Sequence, residues 1–410
     1  MIKKIYHRAF NLVMRLVMPL FPYREPEVLH DVAHVTKVMA EKGHSRVMIV
    51  TDKGVRGLGL TQPLENLIRA SGFELTVYDS TAQNPTSHNV EEARALYVQN
   101  QCEVLIAFGG GSAMDCAKAV GARIVRPDKP LKKMQGLIKV RRTLPLFIAI
   151  PTTAGTGSET TVAAVITDFE THHKYVINDF SLIPHYALLD PEVTVGLPKH
   201  LTATTGMDAL THAVEVYIGK SRTKLTKKAA EDAVKLIFDN LERAYREGTD
   251  IEARRNMLIA SNLAGVAFTR SYVGYIHAVA HTLGGKYGVP HGLANAVLLP
   301  KVLRLYGDSV TKPLADLARI VGVSDVSDTD TAAKEKFIAR IERMNSDMQI
   351  PDRLDMIRED DIEQLARQAA REANPLYPVP KIWGTKELEY VYLVCAGKAD
   401  PDIERSSNDE

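Results

Sequence analysis

The pattern of apolar residues changes near residue 195, and this change constrains the fold more than any other feature of the chain. Before it, short apolar runs alternate with helical stretches, which is typical of a doubly wound α/β domain with a mostly parallel sheet. These runs are 46–51, 74–78, 104–108, 146–151 and 186–189. After it, strand-like runs largely stop and helical periodicity takes over, in 229–245, 252–269, 275–284, 314–321, 331–344, 359–372 and 385–398. The sequence therefore predicts an α/β domain (28–196) and an all-helical domain (197–410), preceded by an extension (1–27).

Two polar, glycine-rich turns follow apolar runs in the first half. Gly109, Gly110, Gly111 and Ser112 follow the run 103–108, and a segment with Thr152, Thr153 and Thr156 follows the run 144–151. A strand, glycines and a helix start leave backbone N–H groups free for an anion. Either turn alone could be structural, because the spacing is not G-x-G-x-x-G. Together, at the carboxyl edge of a parallel sheet, they indicate a dinucleotide site.

A cluster of one carboxylate and several imidazoles marks the second half. Asp208 and His212 are four residues apart, His277 and His281 repeat the spacing, and His291 follows ten residues later. On helices, residues four apart share one face. Each histidine alone could be a satisfied polar group in a helical core. The whole set favours a site for one divalent metal, built from two helices and a turn.

These motifs, in one register over roughly residues 28–395, resemble the iron-containing (group III) alcohol dehydrogenases. The matching pieces are T-D-K-G (51–54), N-P (84–85), G-G-G-S-x-x-D-x-x-K (109–118), P-T-T-A-G-T-G-S-E (151–159), D-P (190–191), G-M-D-A-L-T-H-A-V-E (206–215), H-x-x-x-H (277–281), P-H-G-L-A-N-A-V-L-L-P (290–300) and N-P-L-Y-P-V-P (374–380). The resemblance implies a dehydroquinate synthase-like architecture and NAD(H) with one divalent metal, usually Fe²⁺ and sometimes Zn²⁺.

The resemblance also implies roles for individual residues. Asp208, His212, His277 and His291 would bind the metal, and His281 would act beside substrate and nicotinamide. The residues implied to bind the cofactor are Asp52, Asn84, Gly109, Gly110, Gly111, Ser112, Asp115, Thr152, Thr153, Thr156 and Lys174. Asp52 would bond a ribose hydroxyl and repel a 2′-phosphate, so NAD(H) is expected over NADP(H).

The expected reaction is hydride transfer between a small alcohol or aldehyde and the nicotinamide, with the metal as Lewis acid. Two departures bear on this expectation. Ala113 replaces a common proline, which should change helix entry little, and larger residues at 270–273 leave the substrate open. The alternatives are a hydroxyacid–oxoacid transhydrogenase, a dehydroquinate synthase-type lyase and a non-catalytic metal- or nucleotide-binding protein. No basic cluster beside the metal motifs supports the lyase.

Net charge and cysteine content indicate which partners and which compartment to expect. A net charge of +1 gives no basic field for nucleic acid. Three cysteines without C-x-x-C spacing predict free thiols in a reducing, cytoplasmic compartment. We expect a homodimer or a higher homo-oligomer.

The first 21 residues lie outside the resemblance. Their apolar residues can form a helical stripe, and Lys3, Lys4, Arg8 and Arg15 supply positive charge with no acid before Glu25. The segment is too short and too interrupted to span a bilayer, and it lacks a signal-cleavage site. We expect an amphipathic helix packed on its own subunit or a neighbour. The alternative is weak binding to an anionic membrane surface.

Overall fold

The computed structural model describes residues 2–401, which divide into two compact units. One unit is Pro22–Leu197, and the other combines the segments that precede and follow it. The first is an α/β unit with a parallel sheet and the second is helical, so the predicted fold class is confirmed.

The α/β unit is built on a six-stranded sheet in the order β1-β9-β6-β4-β2-β3, and every strand pair in it is parallel. A smaller sheet, in the order β5-β8-β7, lies in the same unit and was not expected from the sequence. The strands are β1 (Glu27–Leu29), β2 (Arg46–Val50), β3 (Glu74–Tyr78), β4 (Val104–Gly109), β5 (Gly136–Leu137), β6 (Leu146–Pro151), β7 (Ala163–Thr167), β8 (Lys174–Asn178) and β9 (Tyr186–Leu188).

Apolar cores cover both faces of the large sheet. Along β4, Leu105 and Ala107 join one core cluster, whereas Ile106 and Phe108 join the other. Successive side chains of a strand point to opposite faces, so a strand buried on both sides needs an unbroken apolar run. Helices α2 (Ala33–Glu41), α3 (Lys53–Gly57), α4 (Gln62–Ala70), α5 (Ser87–Gln99), α6 (Gly111–Val125) and α7 (Leu131–Met134) complete the unit.

The second unit consists of helices of mostly ten to twenty residues. They are α1 (Ile2–Val17), α8 (Lys199–Ile218), α9 (Lys224–Arg246), α10 (Ile251–Ser271), α11 (Tyr275–Tyr287), α12 (His291–Leu305), α13 (Thr311–Ile320), α14 (Asp330–Asp347), α15 (Glu359–Ala373) and α16 (Thr385–Cys395). His291, expected on a turn, is the first residue of α12, which also contains Pro300.

Candidate metal and nucleotide sites

Three neighbouring strands end where the nucleotide-binding residues were predicted. Asp52 follows β2, Gly109 ends β4 and Thr152 follows β6. From β2 the chain continues outward to β3, whereas from β4 it continues in the opposite direction to β6. Such a reversal opens a crevice at the carboxyl ends of the strands, where open parallel sheets bind ligands.

The two glycine-rich loops lie against each other. The Thr152 amide donates to the Gly109 carbonyl at 3.0 Å. A Cβ on Gly110 would lie 3.6 Å from Thr153 Oγ1, and a Cβ on Gly111 would lie 3.2 Å from Thr156 Cγ2. Helix α6 starts at Gly111 with no side-chain cap, so its first N–H groups are available to an anion.

Gly109 itself is required by the backbone. Its φ of +152° is unfavourable for other residues, and a Cβ there would lie 2.7 Å from Ala113 Cβ. The same added Cβ would lie 3.6 Å from Asp52 Oδ2, so this carboxylate borders the loop. The other oxygen, Asp52 Oδ1, caps α3 by accepting from the Val55 amide at 2.9 Å.

Lys118 and Asp115 hold the second loop against α6. Lys118 is fully buried and donates to the Ser158 carbonyl at 2.7 Å and to Thr161 Oγ1 at 2.7 Å. Asp115 accepts from the Ser158 hydroxyl of this loop at 3.4 Å and from the Val165 amide of β7 at 3.1 Å. Burial raises the pKa of Asp115 to about 6 and lowers that of Lys118 to about 8. The described contacts of Asp115 are therefore with the second glycine-rich loop and with β7.

The remaining predicted cofactor residues occur in two polar contacts. Ser112 donates its hydroxyl to the Gln83 carbonyl. Lys174, on β8, donates to Asn84 Oδ1 at 2.7 Å. The small second sheet thus brings Lys174 into contact with Asn84, ninety positions earlier in the chain, and both residues were predicted to bind the cofactor.

The four predicted metal ligands converge within the helical unit. Asp208 and His212 lie on α8, His277 on α11 and His291 at the start of α12. One donor atom from each lies within 4.8 Å of every other. Asp208, His212 and His277 are buried, and 39% of the His291 side chain is exposed. Three imidazoles and one carboxylate at this spacing form a donor set suited to one divalent ion.

Glu215 sets the orientation of the His277 ring. Its carboxylate is 2.6 Å from His277 Nδ1 and accepts from the amides of Gly274 and Ile276 at 2.8 Å each. With Nδ1 donating to Glu215, the Nε2 atom keeps a lone pair that is available to a metal ion. A Cβ on Gly274 would lie 2.6 Å from Glu215 Oε1, which is why a glycine starts this turn. Burial raises the pKa of Glu215 to about 8.

The Asn295 amide nitrogen lies within hydrogen-bond distance of three of the ligands, and its two N–H groups can donate to two of them at a time. Its Nδ2 lies 2.6 Å from Asp208 Oδ1, 3.1 Å from His277 Nε2 and 3.2 Å from His291 Nε2. One acceptor atom from each of these three ligands therefore points toward the Asn295 amide nitrogen. A divalent cation would satisfy the same acceptors with a full charge, so the residues fit a metal.

His281 lies one turn beyond His277 and belongs to a separate hydrogen-bonded chain. Its Nδ1 is 2.6 Å from Glu372 Oε1, to which Tyr377 donates its hydroxyl at 2.8 Å. Burial lowers the pKa of His281, but the Glu372 carboxylate outweighs it and the pKa is raised overall. The His281 ring stacks on that of His291 at 5.3 Å, so it borders the cluster.

Sequence reasoning missed the roles of Glu215, Asn295 and Glu372. Glu215 and Asn295 stand inside motifs that were recognised, three residues after His212 and four after His291. Glu372 lies two residues before Asn374, which opens the motif N-P-L-Y-P-V-P. Apart from the contact of Asn295 with His291, four residues earlier, their partners among the ligands and His281 are distant in sequence, so only the fold shows these contacts.

Comparison with known proteins identifies the family. Residues 29–191 match the iron-containing alcohol dehydrogenase model, and residues 202–392 match the C-terminal model of the Fe-containing alcohol dehydrogenase family. A 1,3-propanediol dehydrogenase of Klebsiella pneumoniae is 38% identical over 381 residues, covering 91% of this chain and 98% of that protein. An NAD-dependent methanol dehydrogenase of Bacillus methanolicus is 37% identical over 329 residues, covering 80% and 86%.

Solved structures of similar proteins agree with this family assignment. A 1,3-propanediol oxidoreductase superposes with a TM-score of 0.87 at 36% identity, over 92% of this chain and 99% of that one. An alcohol dehydrogenase from Oenococcus oeni gives 0.86 at 32% identity, over 91% and 100%. The fold is that of a two-part, metal-dependent dehydrogenase. The chain belongs to the iron-containing alcohol dehydrogenase family, and it is an NAD-linked oxidoreductase that acts on alcohols and their aldehydes.

Proposed function

We propose that Asp208, His212, His277 and His291 hold one divalent ion and that this ion is Fe²⁺. The convergence of four donor atoms within 4.8 Å is the observation that carries the proposal. The donor set accepts Fe²⁺ or Zn²⁺, and the family name favours iron. When bound, the metal acts as a Lewis acid that lowers the pKa of the substrate hydroxyl or polarises the carbonyl.

The chain's own residues prepare this site. The Asp208 carboxylate offsets part of the cation's charge, while Glu215 fixes the tautomer and the angle of His277. His281 receives the hydroxyl proton during oxidation and returns it during reduction, and Glu372 stabilises the imidazolium that forms. Tyr377 holds Glu372 in place.

The proposed cofactor is NAD(H), bound at the carboxyl edge of the large sheet. The pyrophosphate lies on the N–H groups of Gly110 to Ser112, flanked by Thr152, Thr153 and Thr156. Asp52 Oδ2 accepts from a ribose hydroxyl, and its charge disfavours NADP(H). Asn84 and Lys174 contribute polar contacts at the edge of the same site.

The proposed substrates are short primary alcohols and their aldehydes, the class to which the substrates named for the relatives belong. Tyr272 adopts φ +60° between α10 and α11, which is unusual for a bulky residue, and its ring lies 6.5 Å from that of Tyr377, which donates to Glu372. We also propose that the chain forms a homo-oligomer. A reducing compartment such as the cytoplasm is proposed separately, in line with three buried free cysteines.

The test is a steady-state screen of protein reconstituted anaerobically with Fe²⁺ or with Zn²⁺. Short aldehydes are paired with NADH and with NADPH, and the corresponding alcohols with NAD⁺ and NADP⁺. Turnover of C2–C4 substrates with NAD(H) is expected, fastest with Fe²⁺. No turnover of alcohols, together with cofactor that remains bound through gel filtration and hydride exchange between a hydroxyacid and an oxoacid, would instead identify a transhydrogenase.

A further inference from the structure

Helix α1 contacts its own chain through polar side chains. Arg8 donates to the carbonyls of Val379 and Pro380 at 2.7 Å each, and Asn11 donates to the Pro375 carbonyl at 2.9 Å. Asn11 is buried, with 4% of its surface exposed. The helix therefore lies on its own subunit, and the described hydrogen bonds of this contact come from its polar side chains.

The apolar stripe of α1 consequently faces outward. Ile5, Leu12 and Leu16 recur at helical spacing and are 63%, 57% and 67% exposed, and Leu20 beyond the helix is 80% exposed. Tyr6 and Val13 widen the stripe and are also more than half exposed. Isolated exposed apolar residues are ordinary, but a contiguous stripe marks a surface that something covers.

The surroundings of the stripe are basic. Residues 1–21 contain four Lys or Arg residues and no Asp or Glu. An open groove of about 640 Å³ runs beside the helix between Leu12 and Ile382, and the exposed Lys381 lies at its edge. Lys220 lies close enough to Arg8 and to Arg222 for their charges to interact. An apolar strip bordered by cations is complementary to lipid chains beneath anionic headgroups.

We propose that the outward face of α1 attaches this enzyme to the surface of membranes that contain anionic lipids. A second copy of the chain is a poorer occupant, because pairing two such helices would bring like charges together. No helix within residues 2–401 is long and apolar enough to cross a membrane, so the attachment is interfacial. The matching family model begins at residue 29, so α1 lies outside the residues that this model matches.

The experiment compares the full-length protein with two single variants in vesicle co-sedimentation. Leu16→Glu introduces a charge in the stripe, and Val326→Glu is the matched control, because Val326 is 91% exposed on a loop far along the chain. Vesicles are pure phosphatidylcholine, or an equal mixture of phosphatidylcholine and phosphatidylserine, at low and at high salt. Each sample is also sized by light scattering and assayed for alcohol oxidation.

We expect the wild type and Val326→Glu to sediment with the anionic vesicles at low salt, and less at high salt because salt screens the attraction. Leu16→Glu should bind the anionic vesicles at least about tenfold more weakly than the wild type. Its activity and molar mass should be unchanged. Equal sedimentation of all three proteins, or none by the wild type, would overturn the proposal. A smaller molar mass for Leu16→Glu without vesicle binding by the wild type would identify a second copy as the occupant instead.

Discussion

At the scale of single residues, Glu215 is the clearest test of how the metal ligands are held. Glu215→Gln keeps one acceptor oxygen but turns an NH₂ group toward a donor, either a backbone amide or His277 Nδ1. The ring then loses its fixed tautomer, and we expect metal affinity to fall roughly 10- to 100-fold. Competition with a chelator measures this. Glu231→Gln on α9 is the control, because the described partners of Glu231 are Tyr217 and Lys227 and include none of the four predicted ligands. Unchanged affinity in Glu215→Gln would show that the contact is structural only.

Glu372 governs the protonation of His281, and its replacement has a defined sign. The carboxylate stabilises the imidazolium and raises the pKa of His281 against the opposing effect of burial. In Glu372→Gln the pKa of His281 falls. The imidazole therefore remains neutral down to a lower pH and can still accept a proton there. The acidic limb of kcat/KM for alcohol oxidation should therefore move to lower pH. Glu363→Gln on the same helix is the control, since Glu363 pairs only with Arg367 in the described contacts. A limb that stays in place would remove His281 from proton transfer.

Asp52 combines a structural and a selective role, and Asp52→Asn separates the two. The amide oxygen can still cap α3, but the charge that opposes a 2′-phosphate is gone. We expect the preference for NAD⁺ over NADP⁺ in kcat/KM to narrow by roughly ten- to a hundredfold. Asp250→Asn, which alters an equivalent cap on α10, should leave the preference unchanged. A wild-type enzyme that prefers NADP⁺ would refute this role for Asp52.

At the scale of helices, the close approach of α12 to α8 places the ligands. A Cβ on Gly292 would lie 2.4 Å from the Thr204 carbonyl, and this backbone cannot move without displacing α8. Gly292→Ala should therefore separate His291 from Asp208, lowering both metal affinity and the free energy of unfolding, the latter by about 1–3 kcal/mol.

The matched control for this change is Gly285→Ala. Gly285 lies within α11, and a Cβ there would meet no atom within 4 Å. Alanine should be neutral or stabilising by about 0.5–1 kcal/mol, because glycine weakens a helix interior. Denaturant unfolding and chelator titration compare the two variants. Equal metal affinity in both would show that the helix contact does not position the site.

The elements differ in how far the sequence predicts them. The runs that became β2, β4 and β6 are buried on both faces, so an unbroken apolar pattern predicts them. Strands β7 and β8 have partly exposed residues, and β5 has only two residues, so their pattern is weak and the small sheet was missed. His291 was expected on a turn, but Pro290 is the N-cap residue of α12 and His291 is its first helical residue.

At the scale of the whole molecule, the sequence predicts which residues gather but not what supports them. Spacing on helices brought Asp208, His212, His277 and His291 into one hypothesis. The supporting contacts of Glu215 to Gly274 and of His281 to Glu372 join residues 59 and 91 positions apart. No local pattern encodes such pairs. The same holds for α1, whose amphipathic pattern was plain but whose outward orientation depends on carbonyls near residue 380.

The proposed chemistry depends on the metal site, so metal content tests it most directly. Wild-type protein, His281→Ala and His291→Ala would be reconstituted anaerobically with Fe²⁺, desalted, and measured by elemental analysis against protein concentration. We expect about one ion per chain in the wild type and in His281→Ala, which should keep its metal and show reduced turnover. His291→Ala should lose both, because three remaining donors leave a weak, open site. Full metal content in His291→Ala, or loss of metal in His281→Ala, would contradict the assignment.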